Sequence, residues 1–185
     1  MGHYTNRDSR VVVVTLATWV ASLAIVAPAT AETRRLAIYA DEALTQSTLV
    51  DDVPRTVTLY VLDTGDYATG VSFSVRPAAG FTGVWMSETT AYLFFGDSRT
   101  GISIAYASCH TLPVVALTMT YQLFGTSSAC SELRIEPADG ALCVVSPDTD
   151  CFFFESCITS LGHLRVNCPV ATQSTTWGMV KALYR

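Results

Sequence analysis

Histidine is scarce in this chain, with three in 185 residues. His3 precedes a hydrophobic leader, which leaves only His110 and His163 for imidazole chemistry. There is no Cys-x-x-Cys, so neither a thioredoxin-like redox pair nor a zinc knuckle is favoured. Basic residues never run beyond the Arg34-Arg35 pair and the formal net charge is −5. Nucleic acid and anionic lipid surfaces are therefore poor partners. The acids are scattered, as on a solvated surface. No Asn-x-Ser/Thr sequon occurs, and no internal repeat or low-complexity linker breaks the chain into parts. No stretch after residue 31 is long and apolar enough to span a bilayer.

What is present begins with a leader. Arg7 and Arg10 precede an apolar run over Val11–Ala27, Pro28 breaks it, and Ala29-Thr30-Ala31 supplies small residues. This order of parts predicts a secretory signal cleaved after Ala31. Thr15, Thr18 and Ser22 interrupt the run, which argues against a membrane anchor. The expected organisation is a signal peptide over 1–31, one domain over 32–170 and a tail over 171–185. The expected location is secreted, periplasmic or cell-surface, with no membrane span once the signal is removed.

All six cysteines follow the leader: Cys109, Cys130, Cys143, Cys151, Cys157 and Cys168. An even count in an exported chain predicts disulfides. Cys109 is expected to pair with Cys130, because the strand between them would return both to one end of a sheet. The other four would pair among themselves. The run "SPDTDCFFFESCITS" then reads as a stapled strand, with Phe152 and Phe154 facing one way and Phe153 the other.

Alternation with period two dominates the remainder. Thr56–Leu62, Thr69–Arg76, Gly101–Ser108 and Val114–Phe124 each alternate apolar with small or polar residues. The last places Val115, Leu117, Met119, Tyr121 and Leu123 on one face. Shorter strands are expected at Leu36–Tyr39, Ala91–Phe95, Leu133–Glu136, Cys151–Glu155 and Leu164–Asn167. Gly, Pro and Asp mark the turns between them. The prediction is an all-β, two-layer antiparallel β-sandwich stapled by disulfides. A short C-terminal helix is expected in "STTWGMVKALYR", where Trp177, Val180 and Tyr184 share a face. That stripe would pack on its own domain or dock a partner.

Several spots invite a chemical reading. Asp63-Thr64-Gly65 after an alternating strand resembles the active loop of retroviral-type aspartic proteases. Such an enzyme needs two carboxylates sharing a proton. No second Asp-Thr/Ser-Gly exists, so Asp63 would have to work in a homodimer. The competing reading is a hairpin turn, for which Asp and Gly are suited. Gly96-Asp97-Ser98 resembles the nucleophile loop of chymotrypsin-like proteases, but the two following glycines are missing and the only upstream histidine is His3. It reads as a turn. A zinc site from His163 with Cys143, Cys151, Cys157 and Cys168 lacks a recognised ligand spacing. Asp51-Asp52 and Asp148/Asp150 lack the spacing of a calcium loop. No metal or cofactor is expected.

The runs "TGVSFSV", "GISIAYASC" and "CSELRIEP" resemble a group of uncharacterised, signal-bearing secreted bacterial proteins of cohesin-like or Ig-like sandwich type. The ending "TTWGMVKALYR" is similar to a Trp-Gly-x-Val/Ile-Lys-Ala-Leu-Tyr-Arg terminus found on them. The resemblance implies a sandwich over about Leu36–Pro169 and transfers no catalytic residue. The expected function is thus a non-catalytic exported module for binding or structure. Its partner would be a protein or a carbohydrate, with Trp85, Tyr92, Tyr106 and Tyr121 as candidate face residues. The alternatives are the Asp63 protease and a self-assembling extracellular subunit, and the sequence leaves the oligomeric state open.

Overall fold

The four long alternating runs become the four long strands. The computed structural model describes residues 34–147 and 155–169, in which thirteen strands are numbered in chain order. One sheet runs β12 (Ser160–Leu161), β1 (Arg35–Tyr39), β3 (Pro54–Thr64), β8 (Val114–Phe124), β5 (Val84–Thr89). The other runs β11 (Glu155–Cys157), β10 (Val145–Pro147), β4 (Tyr67–Pro77), β9 (Ser131–Glu136), β13 (Leu164–Val166), β2 (Thr48–Leu49). On β4 the second sheet also carries β7 (Gly101–Thr111), and β6 (Leu93–Asp97) pairs with β7. Pairing is antiparallel except for β1 with β12 and β13 with β2.

The core is what alternation dictates. Leu36, Ile38, Leu59, Val61, Leu117, Met119 and Leu123 project from the first sheet, and Val71, Phe73, Val75, Ile102, Ile104, Leu133 and Leu164 from the second, all buried in one cluster. Two facing apolar surfaces of this kind form a two-layer sandwich.

Three expectations need correcting. Among the described residues there is no helix, so the described architecture is all-β and lacks the expected helical accessory. The terminal stretch carrying Trp177, Val180 and Tyr184 lies outside the described residues, as do Cys151–Phe154. Second, Val115 does not join the core and is 36% exposed. The β3–β8 register shifts between Val61 and Leu62, so Val61 faces Leu117 while Leu62 faces Val115, and Ala116 is left over as a bulge. A bulge inverts the alternation beyond it, which turns Val114 and Ala116 inward and Val115 outward.

Third, Cys130 bonds Cys168 and not Cys109. β7 and β9 each pair with β4 and not with each other, which separates Cys109 from Cys130. β9 pairs with β13, placing Val166 opposite Ser131, so the residues just outside this ladder, Cys130 and Cys168, meet with Cα atoms 4.3 Å apart. Cys143 bonds Cys157 across the β10–β11 hairpin. Cys109 is also a half-cystine.

Candidate contact surface

Asp63 sits near the end of β3, opposite Leu36 of β1, and points into the sandwich with 0% exposure. Its carboxylate accepts hydrogen bonds from Arg34 Nε at 3.0 Å and Nη2 at 2.5 Å, and from the Tyr106 hydroxyl at 2.8 Å. Arg34 Nη2 also donates to the Gly70 carbonyl at 3.0 Å. Gly65 lets Arg34 pass, since a Cβ there would stand 3.3 Å from Arg34 Cα and its φ of +142° suits glycine. Burial, then the charge of Asp63 and the bond to it, push the Tyr106 pKa up, so the phenol stays a donor. A protease aspartate faces a cleft and shares a proton with a second carboxylate. The partners of Asp63 are a guanidinium and a phenol, and the protease reading falls. The hairpin reading falls too, because β3 and β4 lie in different sheets and Gly65-Asp66 carries the chain between them.

The other sequence candidates have structural employment. His110 lies at the edge of an aromatic group, 5.8 Å from Tyr92, whose ring is 4.7 Å from Tyr106. His163 Nε2 lies 3.6 Å from Glu132. Asp51 is buried and accepts from Gly125 N at 2.6 Å and Ser127 N at 3.0 Å. Asn167 donates to the carbonyls of Asp51 and Ser127, tying three chain segments together. Burial pushes the Asp51 pKa up, but bonds from Ser127, Gly125 and Thr126 outweigh it and hold the carboxyl below its usual range. Ser98 turns the β6–β7 hairpin, its N–H donating to both Glu88 carboxylate oxygens. Among the described residues no three His, Cys, Asp or Glu gather to hold a metal, and no helix is long and apolar enough to cross a membrane.

The aromatic face expected from Trp85, Tyr92, Tyr106 and Tyr121 does not form. Tyr106 and Tyr121 are each 3% exposed, and Tyr92 packs against the core. Burial, then the Glu88 charge, push the Tyr121 pKa up to about 12. Trp85 is half-buried beneath the Arg99 guanidinium, 4.4 Å from its ring.

The exposed apolar surface lies on β6 instead. Among the described residues this strand pairs only with β7, which makes it an edge of the described sheet. Leu93 stands opposite Ala105 and Phe95 opposite Ser103, on the outer side of the sheet, with exposures of 64% and 67%. Phe95 walls a cleft of about 320 Å³ whose floor is made by Gly70, Ser72, Ser103 and Ala105, with Val145 on the far side. The floor is low because its residues are small, and Ser103 Oγ donates to Ser72 Oγ at 3.0 Å. Gly70 is required here by close approach: a Cβ would stand 2.4 Å from the Ile104 carbonyl oxygen. On the other sheet, β5 also exposes Val84 and Met86. A sequence signal for this wall existed in Leu93-Phe94-Phe95. Adjacent residues of a strand face opposite ways, so an unbroken apolar triplet puts large side chains on both faces.

No family model and no curated protein sequence matches this chain. Among solved structures it is similar to a cohesin module from a Clostridium perfringens family 33 glycoside hydrolase, at 8% identity and a TM-score of 0.51, over 74% of this chain and 98% of that one. The seventh ScaB type I cohesin of Pseudobacteroides cellulosolvens aligns at 10% identity and a TM-score of 0.48, over 77% and 97%. The sixth cohesin of Acetivibrio cellulolyticus scaffoldin B, solved with a Cel5 dockerin mutant, aligns at 12% and 0.47, over 74% and 99%. The fold is therefore that of a cohesin-like β-sandwich.

Proposed function

We propose that this protein is an exported, non-catalytic contact module that holds a protein partner against the outer face of β6, β7 and β4. The observation that carries the reading is the pair Leu93 and Phe95, exposed beside a ready-made cleft with a small-residue floor. Apolar side chains of this size on a rigid sheet are the kind of anchor that dominates protein interfaces. Export is supported by the leader and by the disulfides, which belong to an oxidising compartment. Self-assembly through β6 is the weaker reading, because the strand is only five residues long and ends in Gly96-Asp97. Short edges with a terminal charge resist strand-to-strand pairing.

The test compares the oxidised protein with Phe95→Asp and Leu93→Asp as bait against envelope and medium fractions of the source cells. A captured protein is then purified and its binding measured directly. Replacing an anchor of hot-spot quality should weaken binding at least ~30-fold while leaving the unfolding midpoint unchanged. Equal binding by both variants overturns the reading. So does a concentration-dependent dimer that Phe95→Asp abolishes, which would assign the wall to a second copy.

A further inference from the structure

The first sheet has an outer face of a different chemistry. β3, β8 and β5 are adjacent there, and their register sets Thr58 opposite Thr120 and Thr120 opposite Ser87. One step along, Tyr60 stands opposite Thr118 and Thr118 opposite Thr89. Their neighbours Leu59, Val61, Leu117 and Met119 are buried, so alternation directs these six hydroxyl residues outward. The result is two rows of hydroxyls, spaced about 4.8 Å between strands and roughly 6.8 Å along them. Cross-strand hydroxyls commonly bond one another. Here Thr58, Tyr60, Thr118 and Thr120 make no side-chain hydrogen bond among the described residues, which leaves their donors and acceptors to a ligand or to water.

The rows adjoin a trough of about 610 Å³ between β3 and the segment joining β1 to β2. Thr56, Thr58, Tyr60 and Thr48 line it. The charged groups around it are Asp41, Glu42 and Arg55. Asp41 is occupied: it accepts from Thr45 N at 2.9 Å, Thr45 Oγ1 at 2.7 Å and Gln46 N at 2.6 Å. Arg55 donates to the Val50 carbonyl. Two carboxylates against one guanidinium leave the trough with a net formal charge of −1, which disfavours anions.

We propose that this trough, with the hydroxyl rows beside it, binds a neutral glycan chain laid along β3. A sugar hydroxyl donates and accepts at once, as do those of Thr, Ser and Tyr, so successive rows can meet successive hydroxyls of a chain running along the strand. The half-buried Tyr60 offers an aromatic surface to the apolar side of a sugar ring. Anionic polymers meet a single cation there, Arg55, beside the two carboxylates of Asp41 and Glu42. The site lies on the sheet opposite the β6 wall and does not depend on it.

Affinity electrophoresis of the oxidised protein tests this, in gels containing hydroxyethylcellulose, xylan or glucomannan, with polygalacturonate as the anionic contrast. At least one neutral polymer should retard the protein. Tyr60→Ala, and the double variant Thr58→Val/Thr120→Val, should each weaken that retardation about tenfold or more, as loss of one or two polar contacts would. Valine matches threonine in shape and strand preference, so the fold is kept. Phe95→Asp should bind glycan as the wild type does, which separates this site from the protein-binding wall. Absence of retardation by every neutral polymer, retardation by polygalacturonate alone, or equal retardation of the wild type and both trough variants overturns the proposal.

Discussion

Replacing Asp63 with asparagine keeps the size of the side chain and removes its charge. No cavity forms, so the cost is electrostatic. Arg34, whose side chain is 6% exposed, would keep its charge in the sandwich with no anion beside it. Breaking one half of a buried ion pair costs about 3–5 kcal/mol, a large share of the ~5–15 kcal/mol that holds an ordinary domain folded. At this chain length that corresponds to a fall in Tm of roughly 6–20 °C. The assay is urea unfolding of the oxidised protein at neutral pH, followed by tryptophan fluorescence. The midpoint should drop with the slope unchanged. Arg34→Met combined with Asp63→Leu removes both charges and should recover most of the loss, since an apolar pair of similar volume often replaces a buried ion pair without penalty. A loss below about 1 kcal/mol for Asp63→Asn would refute the structural role given to the pair. Peptide cleavage at acid pH that vanishes in a fully stable Asp63→Asn would return the residue to catalysis.

Two further outcomes follow from the same packing. Asp51 is held below its ordinary pKa, so its stabilisation is present above the unfolded value of about 3.9 and is lost as pH falls through the folded value. Asp51→Ala should therefore be well below wild type in stability at pH 7, with the gap narrowing at pH 3; an equal gap at both values speaks against the clamp. Gly70→Ala would drive a methyl into the Ile104 carbonyl, prising β4 from β7 at a cost of about 1–3 kcal/mol. Hydrogen exchange should quicken at the amides of residues 102–105, and unchanged protection there would show that the strands tolerate the insertion.

Much of the fold was legible because strand alternation is a local property. β3, β4, β7 and β8 could be placed from their own residues. The short strands β2, β5, β10 and β12 were missed, since two to six residues of mixed polarity carry no period. Val115 was misplaced because a bulge depends on the partner strand, which the sequence does not name. Cys130 was mispaired for a related reason: its neighbour is set by the β9–β13 ladder, two strands far apart in the chain. The Asp63 triplet was visible, but its meaning came from Arg34, 29 residues earlier. The contact surface was sought among tyrosines and tryptophan, which the core absorbed. The exposed apolar pair is instead Leu93 and Phe95, on the outer side of a strand whose place depends on topology.

The bond from Cys130 to Cys168 governs how the domain would bear tension. A pull applied beyond residue 168 reaches Cys130 through covalent bonds before it strains β13. The three paired residues of that strand, which force would otherwise unzip one at a time, are bypassed, and the load passes to the root of β9. A body tethered through its final segment would thus yield first in some other ladder, and adding a reductant should lower the force at which it gives way.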